Sequence, residues 1–250
     1  MFHNIRRLAA SILLFVAPLV AVPALAVANS GYRTIKSVPA GGGVVKILED
    51  ARLTRALAGK MWGVAVDPEF VLGENDPAAQ TFKTKPLLPA KLRQMGPGGK
   101  VLEDTVFATP LARIETRRLG RAGAAIYLIT TDDDVGFGSY SGRATELYAI
   151  HDRRLETLLA TDETGNAQPI KLIDTLKSGW KIMDAKPTHT VIQQLLCRPN
   201  FKTSDDFELT YITYQFDGHT WRSAHRTAPG MWEDDEDWPA ASNFPHATGR

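Results

Sequence analysis

Short β-rich segments separated by turn signals run through the second half of the chain, and they limit its fold more than any other feature. The clearest is Phe207–Phe216, where aromatic and β-branched residues predominate. Asp217-Gly218 follows and predicts a two-residue hairpin turn, because such turns require positive φ angles. Residues 219–225 then return as the partner strand. Successive hairpins predict antiparallel pairing, since parallel strands need longer crossover connections.

Similar segments fill residues 106–226 and give roughly eight predicted strands. A hairpin is predicted from Ala144–Ile150 and Leu155–Ala160, around a turn at residues 151–154. Other predicted strands are Ala124–Thr131, Pro169–Ile173, Trp180–Met183 and Thr190–Cys197. The predicted core residues are Ile126, Leu128, Leu147, Leu158, Leu172, Ile192, Leu209, Tyr211 and Ile212.

Residues 29–105 predict a mixed region of helix and loop. A helix is predicted over Val44–Ala58, because its acids lie early and its basic residues late, as the helix dipole favours. Trp62–Val66 is a predicted strand. Residues 67–99 are rich in Pro and Gly and predict an insertion with at most a short helix near Ala90–Met95. The predicted fold class is therefore α+β, a predominantly antiparallel β-sheet with an N-terminal helix and a Pro/Gly-rich insertion.

Residues 1–26 have the order of a secretory signal peptide. Arg6 and Arg7 precede an apolar run over residues 8–22, and the small residues Ala24 and Ala26 suit signal peptidase. The run is shorter than the roughly 20 residues that a bilayer span needs. We expect cleavage after Ala26, or after residue 28, and a periplasmic or secreted bacterial protein with no membrane insertion after cleavage.

Composition excludes several classes of protein. The 250 residues include 29 Lys and Arg against 28 Asp and Glu, a balance that gives no general attraction to nucleic acid. The hydrophobic fraction of 44% is ordinary for a packed domain. The single cysteine, Cys197, cannot form an internal disulfide, so it is either a buried thiol or one half of an intermolecular bridge.

A loop with three acids and three glycines follows the predicted strand Ala124–Thr131. Its spacing fits neither an EF-hand, nor a G-x-G-x-x-G phosphate loop, nor a G-x-S-x-G nucleophile elbow. The sequence therefore predicts no metal and no cofactor, and a solvated connection between strands is the alternative to a ligand loop. The candidate binding residues of this loop are Asp132, Asp133, Asp134 and Tyr140.

Residues 227–250 form an acidic, aromatic C-terminal tail. Five consecutive acids lie between two tryptophans, a pattern that predicts a docking arm for a basic partner. The alternative is a solvated terminus whose tryptophans pack onto the sheet. The candidate binding residues of the tail are Trp232, Asp234, Asp235 and Trp238.

The segment Tyr214–Trp221, followed by Trp232 and by Phe244-Pro245, resembles the closing segment of uncharacterised exported bacterial proteins. In these proteins a Y-x-F-D-G-x-x-[WY] hairpin ends a small antiparallel sheet that is similar to a propeller blade. The resemblance covers at most residues 126–245, and the calcium-binding repeat of propellers is missing. It implies β structure and export, and it implies no activity.

Three functions are compatible with these patterns, and the sequence does not decide whether the protein is an enzyme. The first is a non-catalytic envelope binding protein, or an inhibitor or immunity-type protein, with an envelope protein as partner. The second is a periplasmic hydrolase that uses acids of residues 132–134 with a distant histidine. The third is a structural envelope factor.

Overall fold

A computed structural model describes residues 31–63, 68–119, 125–133, 138–186, 189–200 and 206–247. These residues belong to one compact unit, Gly31–Arg250. The predicted signal peptide lies outside the described residues, as do residues 64–66 of the predicted strand Trp62–Val66. None of the helices in the described ranges combines the length and the apolar character that crossing a bilayer requires.

The first part of the unit is a four-stranded antiparallel sheet. Its strands, in spatial order, are β1 (Tyr32–Ala40), β2 (Gly43–Asp50), β3 (Lys91–Met95) and β4 (Val101–Val106). Gly41 and Gly42 join β1 to β2 with φ angles of 56° and 81°, which favour glycine. Gly43 allows β3 to approach closely, because a Cβ atom there would lie 1.9 Å from the carbonyl oxygen of Met95.

Three short helices connect β2 to β3. They are α1 (Arg55–Met61), α2 (Pro68–Leu72) and α3 (Pro77–Thr84). The side chain of Thr54 accepts the Leu57 N–H and so caps the start of α1. Leu57 and Met61 are buried, with Leu53 and Leu111, in a small cluster that holds α1 against the start of the larger sheet.

The predicted helix over Val44–Ala58 is wrong in its first half, because Gly43–Asp50 is a strand and the helix begins only at Arg55. Val45 and Ile47 are buried on either side of the partly exposed Lys46, and antiparallel pairing with β1 and β3 extends along Gly43–Asp50. The glycines before them form a hairpin turn rather than a helix start. The short helix predicted near Ala90–Met95 is also wrong, since Lys91–Met95 forms β3.

The larger sheet has eleven strands in the described residues. They are β5 (Ala112–Arg117), β6 (Ile126–Asp133), β7 (Gly142–His151), β8 (Arg154–Thr157), β9 (Leu159–Thr161), β10 (Ala167–Pro169), β11 (Lys171–Thr175), β12 (Ser178–Lys186), β13 (His189–Pro199), β14 (Phe207–Phe216) and β15 (Trp221–Pro229). The spatial order is β10-β9-β15-β14-β13-β12-β11-β7-β6-β5, and β8 pairs with β7. All pairs are antiparallel except β15 with β9, which is parallel. The fold is thus mostly antiparallel β-sheet with a few short helices. Short 3-10 turns occur at Pro97–Gly99, Gly138–Tyr140 and Ala241–Asn243.

The predicted hairpins are present, but their turns differ in detail. Asp152 and Arg153 both have positive φ angles and form the two-residue turn between β7 and β8. The two-residue turn predicted at Asp217-Gly218 is wrong, because Phe216 pairs with Trp221 and leaves a four-residue loop. The Asp217 carboxylate accepts two backbone N–H groups within this loop and stabilises the longer connection.

The core divides into clusters on the two faces of the larger sheet. One cluster lies between the small sheet and β5–β7, where Val45 and Ile47 pack with Ile114 and Ile129. A second cluster includes side chains of β6, β7, β11, β13 and β14. A third cluster joins β13 and β14 to the C-terminal tail, with Leu195, Leu209 and Trp232 among its residues. All nine predicted core residues are buried or partly buried in the second and third clusters, which confirms them.

Candidate functional site

Trp62 lies where three cavities meet. The cavities have volumes of about 320, 400 and 230 Å³, and Trp62 lines all three. Trp62 follows the last residue of α1, and the guanidinium of Arg113 on β5 lies 4.0 Å from the centre of its ring. The first two cavities also share Arg113 and the last two share Arg143 and Asp174, and we call the three adjoining cavities together the Trp62 groove. Its charged lining residues are Arg33, Lys36, Glu49, Arg55, Arg113, Glu115, Arg143, Asp174 and Asp234.

Two cross-strand rows of polar residues run beneath the groove, and all of their members except Asp132 line it. Residues opposite each other on paired strands project to the same face of a sheet. Arg113, Thr130 and Thr145 form one row across β5, β6 and β7, and the two threonine hydroxyls are 2.8 Å apart. Asp132, Arg143 and Asp174 form the next row across β6, β7 and β11. Arg143 and Asp174 make an ion pair of 2.7 Å.

One end of the groove is basic. Arg33, Arg55 and Arg113 line it, together with the carboxyl group of Glu49. Glu49 is only 5% exposed, and burial raises the pKa of this carboxyl above its usual value. The Ala112 N–H and the arginine charges at positions 33 and 113 lower this pKa without outweighing burial. The positive charges of the three guanidinium groups therefore outnumber the one negative charge that Glu49 can carry at this end.

The opposite end is acidic. Asp174 from β11 and Asp234 from the tail line it, beside Arg143. Asp132 accepts the Gly63 N–H at 3.1 Å, which ties the loop after α1 to the strand beneath. Burial raises the pKa of Asp174, the Arg143 cation lowers it, and the negative charge of Asp234 raises it further. Carboxylates thus outnumber the single cation at this end.

The structure places one of the residues predicted from sequence in the lining of the groove, and a second beside it. Asp234 lines the acidic end, whereas Asp132 lies in the row of Arg143 and Asp174 but is buried and is not a lining residue. Asp133 pairs in the backbone with Gly142 and its side chain lies outside the described residues, as does all of Asp134. Asp235 is exposed and is not among the lining residues.

Tyr140 lies elsewhere, in the 3-10 turn before β7. Its ring is 5.7 Å from the guanidinium carbon of Arg198. Burial raises the pKa of the Tyr140 hydroxyl, with a further contribution from Cys197. Tyr140 therefore contacts residues at the end of β13 and is not among the residues that line the groove.

The tail tryptophans pack onto the sheet. Trp232 is buried in the third core cluster with Leu195, Cys197 and Phe244, and Trp238 packs against that cluster. The Trp238 indole N–H donates to the side-chain oxygen of Gln193 at 3.3 Å. This is the alternative given above for the tail, and it removes both aromatic anchors from the docking-arm interpretation.

Sequence reasoning missed Trp62, Arg113, Arg143 and Asp174. The available signal was the alternation of polar residues along β6 and β7, where positions 130 and 132 and positions 143 and 145 share parity. A single arginine or aspartate in a strand does not reveal which residue lies opposite it. Register between strands was needed to join these positions.

The arrangement suits binding of a charged, elongated ligand. In the part of the chain that the structure describes, no group of three or more His, Cys, Asp or Glu side chains is placed to hold a metal ion. None of the described histidines is among the residues that line the groove. The acids that line it therefore have no imidazole among their lining neighbours.

Comparisons with protein-family models, with curated proteins and with solved structures found no match.

Proposed function

We propose that this is an exported, non-catalytic binding protein of the bacterial envelope that holds a partner protein in the Trp62 groove. The observation that supports this proposal is the groove itself, three adjoining cavities around one tryptophan with oppositely charged ends. A cleft with aromatic walls and a few convergent charged groups is the usual form of a binding site. An inhibitor or immunity-type protein is the finer form of the same proposal.

The acids of the groove support binding more directly than hydrolysis. Asp132 is 4% exposed and accepts a backbone N–H, while Asp174 is paired with Arg143. A general acid or base must lie within hydrogen-bond reach of the proton that it transfers, and Asp132 is buried where it cannot meet a ligand in the groove. Asp174 does line the groove, where its pairing with Arg143 suits recognition of a charged ligand.

Export is tested by determining the N-terminus of the protein recovered from the periplasm or the medium. We expect Val27 or Asn29 as the first residue, because these follow the two candidate cleavage sites. A protein that retains Met1 in the cytoplasm would contradict the proposal.

The binding site is tested by affinity capture from periplasmic extract with the wild type and two charge reversals. Arg113→Glu reverses a charge in the groove, whereas Arg118→Glu makes the same change at an exposed position of the same chain segment outside it. We expect one partner to be retained by the wild type and by Arg118→Glu and lost by Arg113→Glu. Retention by all three variants would place the site elsewhere and overturn the proposal.

A further inference from the structure

We propose that the partner enters the Trp62 groove with an extended peptide segment that carries anionic residues at one end and cationic residues about four residues further along. This inference rests on the proposed function and adds the chemistry, direction and spacing of the bound segment. The segment would lie across the strands of the larger sheet, from β5 towards β11, rather than along them.

The basic end selects the anionic residues of the segment. Arg55 is exposed at the start of α1 and forms no ion pair with any other described residue, so its guanidinium is available. The Arg113 guanidinium lies over the Trp62 ring, with 4.0 Å between its central carbon and the ring centre, and lines two of the three cavities. Guanidinium groups bind carboxylates through two parallel hydrogen bonds, and this makes arginine well suited to such recognition.

The acidic end selects the cationic residues. Asp234 is exposed, and Asp174 lies close enough for the Asp234 charge to affect its titration. Arg143 neutralises only one of these carboxylates, since its ion pair is with Asp174. A lysine or arginine of the partner would offset the remaining negative charge, and reversed binding would place like charges together at both ends.

The sheet geometry sets the spacing between the two charged blocks. Arg113 is on β5 and Asp174 is on β11, and β6 and β7 lie between these strands. Adjacent strands are about 4.8 Å apart, so three steps across the sheet separate the two strands by roughly 14 Å. An extended peptide advances roughly 3.4 Å per residue, and about four residues therefore cover this distance.

The middle of the groove fits the neutral part of the segment. Trp62, Trp180 and Ile35 provide apolar wall, and the hydroxyls of Thr130 and Thr145 provide polar floor. Lys36 and Glu115 also line this part with opposite charges, and Glu115 is paired with Arg117. An uncharged pair of residues between the two blocks would lie against the apolar wall and the threonine hydroxyls.

The test uses labelled six-residue peptides with blocked termini and fluorescence anisotropy with the purified protein. The dipolar peptide has two aspartates, two serines and two lysines in that order, and it is also made in the reverse order. The control peptide has the same composition with aspartates and lysines alternating. We expect one dipolar peptide to bind at least about tenfold more tightly than the alternating peptide, and to weaken as salt screens the charges.

Two exposed charge reversals identify the ends. Arg55→Glu and Asp234→Lys should each weaken the dipolar peptide about tenfold, because each reverses the charge that faces one block. An all-aspartate peptide separates the two effects, since Arg55→Glu should weaken its binding and Asp234→Lys should strengthen it. Arg118→Glu is the matched control and should change neither affinity.

Equal affinity for the dipolar and alternating peptides, or no response to Arg55→Glu and Asp234→Lys, would overturn the inference. If these peptides fail while Arg113→Glu still releases the captured partner, the proposed function stands and only the charge pattern is wrong. If Arg113→Glu releases nothing, the proposed function itself fails.

Discussion

The indole ring of Trp232 lies directly over Gly179, where a Cβ atom would come within 3.2 Å of the ring. Trp238 meets Trp232 edge-on, with ring centres 5.8 Å apart, and stacks on Phe244 at 5.6 Å. The glycine at the start of β12 thus leaves space for the tail. The C-terminal tail packs onto the sheet through its aromatic residues and through the ion pair of Glu233 with Lys177, whereas its other four acids, residues 234–237, are exposed.

Trp232→Ala should lower the free energy of unfolding by about 3–5 kcal/mol, because it removes a buried aromatic side chain and leaves a cavity. The Trp232 side chain is 5% exposed and belongs to the third core cluster. Urea denaturation followed by circular dichroism measures the change. Gly179→Val should have an effect of the same direction, since its side chain would displace the ring.

Asp235→Asn is the matched control for the tail, because Asp235 is exposed and lies three residues from Trp232. Its unfolding curve should coincide with that of the wild type. A Trp232→Ala protein as stable as the wild type would show that the tail does not contribute to the fold.

Asp50→Asn should lower stability at neutral pH and lose its effect in acid. Burial raises the pKa of Asp50, but hydrogen bonds from the Arg52 side chain and from the backbone N–H groups of Leu88 and Arg52 outweigh burial and lower it to about 2. A carboxyl whose pKa is lower in the folded protein stabilises the fold above its ordinary value near 3.8 and loses this effect as pH falls towards 2. The difference of nearly two pKa units corresponds to about 2 kcal/mol.

Urea denaturation at several pH values between 2 and 7 measures this dependence. The stability gap between the wild type and Asp50→Asn should be widest above pH 5 and shrink below pH 4. Asp152→Asn is a suitable control, because the Asp152 side chain is 91% exposed. A gap that stays constant down to pH 2 would contradict the assignment.

The antiparallel hairpins were predictable because local signals agree with the final structure. The aromatic and β-branched residues of Phe207–Phe216 predict a strand, and this segment forms β14. The turn predicted at residues 151–154 contains the reversal at Asp152 and Arg153. The helix prediction for Val44–Ala58 was wrong in its first half because the apolar positions there fit one face of a helix as well as one face of a strand. Tertiary pairing of Gly43–Asp50 with β1 and β3 decided the outcome.

The groove was only partly predictable for a different physical reason. Asp132 was predicted as a candidate binding residue because acids cluster at the end of an apolar strand, which is a local pattern. Trp62, Arg113 and Asp174 come from three separate segments and meet only through strand order and register. Nothing local distinguishes these residues from any other exposed tryptophan, arginine or aspartate.

The wild type should become less stable as pH rises, and Glu49→Gln should abolish this pH dependence. Burial raises the pKa of Glu49, so the folded protein favours the protonated carboxyl more than the unfolded chain does. The corresponding stabilisation is complete below the ordinary value of 4.5 and is lost as pH rises through the raised pKa. Urea denaturation from pH 4 to pH 8 should show the wild type losing stability relative to Glu49→Gln.

Glu115→Gln provides the comparison, since the Glu115 side chain is 57% exposed and also lines the groove. Its stability should follow that of the wild type at every pH. If Glu49→Gln and the wild type remain separated by a constant amount, the carboxyl of Glu49 does not titrate abnormally.

The Cys197 thiol should react slowly in the folded protein, and it should form no disulfide between two molecules. Its side chain has no measurable exposure and lies in the third core cluster beside Leu195 and Leu209. A thiol reagent reaches such a site only when the surrounding structure opens. Alkylation followed by mass spectrometry should therefore be slow in buffer and rapid in urea, and a non-reducing gel should show only monomer. A dimer that disappears with reductant, and that is absent from Cys197→Ser, would instead establish the intermolecular disulfide.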